Sequence, residues 1–273
     1  PMATQAPQFL LIDGSYYMFY RYFALLNWWK LAHPDEVLEN PSENKNFMER
    51  FRVVFKKKVK EAIKKLKLVN PIIIVGLDCP RKNIWRNEHF DAYKAHREMD
   101  ESFMGGSVFK IVHKENLFKE AGAHMSIRHP HLEADDCLAL TVRNIRNVTP
   151  DAIITIITSD MDYLQLADDK TRLFNLKYKD LTMSKNCFKN KEKDLFCKIV
   201  MGDKSDGIAP IFKKCGIKTA AKCYDDKEFF KNKLEKEPEA KEKFEKNKRL
   251  IDFRFIPAKL VEEFNSGEYT NKF

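Results

Sequence analysis

The sequence predicts an α/β fold, a doubly wound and mostly parallel sheet with helices on both faces. Three observations predict it. Short, continuously apolar segments read as strands buried on both sides. Patterns of period 3.6 lie between them and read as helices. Each strong strand ends in an aspartate, and open α/β sheets gather ligands at their carboxyl ends.

The elements follow in order. "PMATQ" reads as a remnant ahead of the native start. "QFLLID" is the first strand and closes on Asp13. "FMERFRVVFKKKVKEAIKKLKLV" sets Phe47, Phe51, Val54, Phe55, Val59, Ile63 and Leu66 on one helical face, with lysines opposite. "PIIIVGLD" is the second strand, ending at Asp78. "HMSIRH" and "TRLFNL" are weaker strand candidates. "EADDCLALTVRNI" is helical, with Leu138, Val142 and Ile145 inward. "DAIITIITSD" is the third strong strand, ending at Asp160. Past Asn186 the chain turns helical and lysine-rich, with glycines at 202, 207 and 216. The charged run "KLEKEPEAKEKFEKNK" reads as a solvated helix or loop. The division is a core over 1–190, with a helical segment at about 81–110, and a smaller helical lobe over 191–273.

With 273 residues, 44% of them hydrophobic, the chain can bury a sizeable core. No apolar run reaches the roughly 20 residues of a membrane span. Six cysteines without a CxxC pair read as reduced thiols of an intracellular protein. Lys plus Arg outnumber Asp plus Glu by 49 to 40, which favours a polyanionic partner such as nucleic acid.

Against that excess the acids are clustered. Asp13, Asp78, Asp160 and Asp162 fall at strand ends. Glu133, Asp135 and Asp136 open a helix, where the dipole favours negative charge. Asp203 and Asp206 lie in "MGDKSDG". One Asp at a strand end is ordinarily a turn former or a cap. Five groups at corresponding places carry more weight. Two carboxylates about 4 Å apart repel by roughly 4 kcal/mol at an effective dielectric of 20, so such a set must take up protons or cations. Oxygen ligands without His or Cys suit Mg²⁺ or Mn²⁺, and two such ions make a phosphodiester-cleaving site.

A basic and aromatic stretch follows Asp78. Arg81, Lys82, Arg86, Lys94 and Arg97 are interleaved with Trp85, Phe90 and Tyr93. Lys94 and Arg97 are spaced i,i+3, so a helix would present them together to a phosphate. Tyr93 could stack on an unpaired base. Gly105 and Gly106 could hinge the segment. "KKCGIKTAAK" resembles a hairpin between two helices whose backbone N–H groups could grip a phosphate. The His129–Pro130–His131 triplet reads as a loop before the helix.

Together these pieces resemble the flap endonuclease family of 5′ nucleases, which includes the 5′-nuclease domain of bacterial DNA polymerase I and phage ribonuclease H. "LIDGSYYMFYRYFA", "GLDCPRKNIWRNEHFDAYKAHR", "LEADD", "TSDMDYLQL" and "MGDKSDGI" match its five motifs in order. "RLIDFRFIP" looks closest to phage ribonuclease H. The resemblance implies a helical arch after Asp78 that admits a 5′ single strand, with Tyr93, Lys94 and Arg97 on its gateway helix. It implies a helix-three-turn-helix at about 195–225 that holds duplex DNA.

The implied activity is cleavage of flaps, gapped duplexes or RNA primers near a single-strand/double-strand junction. Two Mg²⁺ or Mn²⁺ ions are implied. Asp13, Asp78, Glu133 and Asp135 would mainly hold one, and Asp160, Asp162 and Asp203 the other. Asp136 and Asp206 would act through water. Catalytic roles are implied for Tyr93, Lys94 and Arg97. DNA contact is implied for Arg21, Arg81, Lys82, Arg86, Lys214, Gly216, Lys218 and Thr219. A K⁺ ion is implied at the hairpin, where this chain departs from the family's Gly-x-Gly by carrying Lys214 at the first glycine. The implied partner is branched or flapped DNA, or an RNA–DNA hybrid, met by a monomer. No clamp-binding peptide is legible in the closing "EYTNKF" and no polymerase domain follows, so a stand-alone nuclease is expected; the clamp partner is left open. A catalytically inactive DNA-junction binder is the alternative, and it predicts gaps in the acid set.

Overall fold

The computed structural model describes residues 4–97 and 100–273. Pro1, Met2 and Ala3 of the expected N-terminal remnant, and two positions of the expected arch, lie outside the described residues.

Six strands form one sheet in the order β5-β4-β1-β2-β3-β6. They are β1 (Gln8–Asp13), β2 (Ile72–Gly76), β3 (Met125–Ile127), β4 (Ile153–Ile157), β5 (Thr171–Phe174) and β6 (Thr270–Lys272). The first five run parallel, and β6 joins the edge antiparallel to β3. All three strong strand expectations and both weaker ones correspond to strands. The chain proceeds from β1 through β2 to β3, then returns to place β4 on the other side of β1. That reversal is the switch point at which such sheets open a crevice.

Helices cover both faces because the strand side chains alternate. Leu10, Ile12, Ile73 and Val75 pack against α1 (Gly14–Ala32), α2 (Lys45–Lys65), α3 (Gly105–Lys114) and α4 (Leu117–Glu120). Leu11, Ile74, Ile154 and Ile156 pack against α5 (Ala134–Val148) on the opposite face, with Phe264 of α10 (Ala258–Asn265). The expected stripe of α2 is realised, with Phe47, Phe51, Phe55 and Val59 buried. Each such Phe contributes roughly 1.5–3 kcal/mol of burial. Two glycines let the layers close. A Cβ on Gly14 would lie 2.7 Å from the Gly76 carbonyl oxygen, and one on Gly76 would lie 2.7 Å from Leu138.

Beyond β5 come α6 (Lys191–Met201), α7 (Ile217–Asp225), α8 (Lys227–Lys236) and α9 (Glu239–Ile251). They share a cluster around Val200, Phe212, Ala220 and Ala240. The charged run forms the end of α8 and most of α9, interrupted at Glu237 and Pro238. No helix among the described residues is long and apolar enough to cross a membrane.

Candidate active site

The parallel strands deliver the acids to one edge. Asp13 ends β1 and caps α1, its carboxylate accepting from the Tyr16 amide at 3.3 Å and the Tyr163 hydroxyl at 3.1 Å. Asp78, just past β2, accepts from the Ala134 amide at 2.7 Å, which ties it to the start of α5. Glu133 is the N-cap of α5, and its side chain and that of Asp136 form a capping box. Asp160 follows β4 and accepts from the Asp162 amide at 2.8 Å. Asp203 and Asp206 form a turn after α6, where Asp203 accepts from the Ser205 amide at 2.9 Å.

These stretches meet at a cavity of about 450 Å³ beside the switch point. Asp13, Asp78, Glu133, Asp135, Asp160, Asp203 and Asp206 line it, with Lys94, Arg97 and Lys198. Three carboxylate groups have ligand atoms within 4.8 Å of one another: Glu133 with Asp135 and Asp136, Asp135 with Asp160 and Asp162, and Asp162 with Asp203 and Asp206. Asp135 and Asp162 are shared, so these seven acids form one continuous series, and Asp13 and Asp78 line the same cavity beside it.

Burial and mutual repulsion work against ionisation here. Burial, with the charge of Asp78, pushes the Asp13 carboxyl up to about 6. Burial and then Asp162 push Asp160 up to about 8. Asp135 is raised well above the carboxylate range by burial and by Asp136 and Glu133. Burial also raises Asp162 and Asp206. Burial would raise Glu133 as well, but Arg86, Lys94 and Tyr93 outweigh it and hold the group low. At Asp203 the Ser205 and Lys198 contacts likewise outweigh burial.

Such a set suits a hard divalent cation. The carboxylates supply oxygen only, and no His or Cys lines the cavity among the described residues. Asp162 Oδ1 is buried, and its near neighbour is the Lys198 ammonium at 3.2 Å, an ion-pair contact.

The basic residues correct several expectations. Residues 91–97 form turns instead of the expected gateway helix. Lys94 has φ +55°, and its amide donates to the Asp206 carbonyl at 2.8 Å, so the chain docks on the acidic turn instead of coiling. Lys94 and Arg97 still converge: Lys94 pairs with Glu133, and Arg97 with Asp206 at 2.6 Å. Tyr93 is buried and donates its hydroxyl to Glu133 at 2.9 Å, so its ring is not presented for base stacking.

Arg86 is 2% exposed and binds Asp136 through both terminal nitrogens, Glu133 at 2.7 Å and the Leu250 carbonyl at 2.7 Å. It is an internal strut, and its expected DNA contact is withdrawn. Arg21 is also buried, against the Tyr17 and Tyr20 rings, which removes it from the DNA-facing surface. Asp136, at 0% exposure, lies behind the cavity wall. Arg81, Lys82, Lys214, Gly216 and Lys218 are exposed, and Thr219 is half-buried. The last four cluster at the start of α7. His129 lies in the loop before α5, as expected, and is buried on Glu263 at 2.7 Å.

Sequence reasoning missed Lys198, which contacts Asp162 and Asp203. The available signal was a lysine inside the apolar run 195–200. It also missed Tyr163 and Trp85, whose polar tips donate to Asp13 and Asp136.

The family described as "5′-3′ exonuclease, N-terminal resolvase-like domain" matches residues 8–194, which span β1 to the start of α6. The chain belongs to the 5′-3′ exonuclease family. It is therefore a nuclease of the 5′-3′ exonuclease class. The 5′-3′ exonuclease of Bacillus subtilis (strain 168) is 27% identical over 237 residues, covering 83% of this chain and 72% of its own. That of Buchnera aphidicola subsp. Acyrthosiphon pisum (strain APS) is 30% identical over 216 residues, covering 77% and 68%. The bacteriophage T5 flap endonuclease, solved with DNA and metal ions, superposes with TM-score 0.67 at 15% identity, covering 95% of this chain and 97% of its own. The T5 5′-exonuclease with bound zinc gives 0.65 at 17% identity over the same shares. At these identities the T5 likeness carries the fold of this exonuclease-family chain.

Proposed function

We propose that this exonuclease-family chain is a structure-specific 5′ nuclease that hydrolyses phosphodiesters near single-strand/double-strand junctions in replication, repair or recombination. The carrying observation is the convergence of acids from five separate stretches on one cavity whose other charged residues are basic. The T5 relative solved with DNA and metal ions supports the same reading.

In this reading two Mg²⁺ or Mn²⁺ ions are held by the acid series together with Asp13 and Asp78. Asp13, Asp78, Glu133 and Asp135 serve one side, and Asp160, Asp162 and Asp203 the other, with Asp206 acting through water. When bound, such ions lower the pKa of an attacking water and stabilise the charge of an in-line displacement. The protein's own residues do the rest. Asp13 and Asp78 are fixed by main-chain and tyrosine donors, so the ligand set is preorganised. Lys94 and Arg97 reach the cavity from the 91–97 turns and steer a scissile phosphate, exchanging a carboxylate for a phosphoryl oxygen. Lys214, Gly216, Lys218 and Thr219 offer cations, a hydroxyl and free main-chain amides at the start of α7, which suits sequence-independent phosphate contact and a K⁺ ion in the preceding turn. Arg81, whose guanidinium donates to the Arg97 carbonyl at 2.6 Å, and the exposed Lys82 add further cations for a polyanionic strand.

Product mapping tests the proposal. A 5′-labelled flap, a nicked duplex and an RNA–DNA hybrid are each incubated with Mg²⁺ and with chelator. Cleavage at the junction that needs Mg²⁺ and disappears in the Asp160→Ala/Asp162→Ala double variant is the expected result. Flap cleavage surviving that double change refutes the assignment.

A further inference from the structure

Lys198 reaches from α6 into the acid series, and nothing in the nuclease reading uses it. Its Nζ lies 2.9 Å from Asp203 Oδ2 and 3.2 Å from Asp162 Oδ1. The ammonium thus stands between two carboxylates that, with Asp206, bring ligand atoms within 4.8 Å of one another. A divalent ion shared by Asp162 and Asp203 would need that same position.

The other end of the series differs. Among the described residues, no lysine or arginine pairs with Asp13, Asp78, Asp135 or Asp160. A first ion entering there meets carboxylates that no ion pair already occupies. An ion approaching Asp162 and Asp203 meets a positive charge already in place. That charge is a point charge on a flexible stem of four carbons, able to swing aside without moving the backbone. Arg86 has no such freedom, since its guanidinium is buried and hydrogen-bonded on all sides.

We propose that Lys198 is a tethered counter-ion. It holds Asp162 and Asp203 together in the metal-free protein and must give way to a second divalent ion, which therefore binds more weakly than the first. This inference rests on the metal-dependent reading above.

The test is a Mn²⁺ titration of the chelator-stripped full chain without nucleic acid, following the free-ion electron paramagnetic resonance signal. The wild type is expected to show two classes of site, the second weaker. Lys198→Met keeps the stem and removes the charge. It should tighten the second class by about tenfold, as loss of a partly buried competing charge implies, and lower the metal-free melting temperature. Lys198→Arg, which keeps the charge, should leave the second class weak. Lys198→Gln, checked for folding by circular dichroism, serves if the methionine variant does not fold. A folded neutral variant whose second class is unchanged or weaker overturns the inference, as do two equal classes in the wild type. A wild type that binds no Mn²⁺ overturns the metal reading as well.

Discussion

The two ends of the acid series are built differently. At the sheet, Asp13, Asp78, Asp135 and Asp160 are fixed by neutral donors, such as the Tyr16 and Ala134 amides and the Tyr163 hydroxyl. At the periphery Glu133, Asp136, Asp162, Asp203 and Asp206 are each matched to a cation, from Arg86, Lys94, Lys198 or Arg97. Neutral donors fix a carboxylate's direction and leave its charge uncompensated. Cations compensate the charge and hold the surrounding chain in place. The first arrangement leaves charge open to an incoming cation, and the second ties its carboxylates to the chain around them.

The largest effect should come from the uncompensated end. Asp160→Asn or Asp135→Asn is expected to cost more than about 10³-fold in kcat, the several kcal/mol that metal-centred charge stabilisation supplies, with little loss of stability. Single-turnover cleavage and a thermal melt on the same preparation check it; a large drop in melting temperature with modest loss of rate would invert the comparison.

Arg86→Met should do the opposite. It leaves Asp136 buried without a cation, at a cost of about 3 kcal/mol or more in urea unfolding. Pairing it with Asp136→Leu should recover much of that loss.

The pH dependence follows in size. Asp160 titrates at about 8 in the fold against 3.8 as a free side chain, and Asp13 at about 6. The fold therefore binds extra protons. Their stabilisation is fully present below about pH 4 and is lost as pH rises through about 6 and then about 8. Metal-free protein should melt progressively lower across that window, and the rise in Tm on adding Mn²⁺ should grow from about pH 6 to about pH 8.5. A Mn²⁺ effect that stays flat with pH breaks the link between raised carboxyls and metal.

Smallest is Tyr93→Phe, which removes one hydrogen bond to Glu133 at the compensated end and should cost about 1 kcal/mol in unfolding free energy.

The sheet was legible because buried parallel strands are both short and continuously apolar. The acid series was legible because strand ends are positions of known meaning. The segment after Asp78 misled for a physical reason. Lys94 and Arg97 carry helical spacing, but the Lys94 side chain pairs with Glu133 while its amide and the Arg97 guanidinium bind Asp206 of the distant 203–206 turn, and those partners draw the chain out of the helix. Exposure was the least legible property. Arg86 and Arg21 look like surface cations in sequence, and only the fold reveals that each has a buried berth. Lys198 was hidden because a lysine in an amphipathic helix ordinarily faces water.

Gly14 and Gly76 carry no functional group, yet each sits next to a strand end that bears an aspartate. Adding one methyl at either position would wedge a helix away from the sheet and carry Asp13 or Asp78 with it. Saturation mutagenesis scored on cleavage should therefore find these two bare positions as intolerant as the carboxylates beside them.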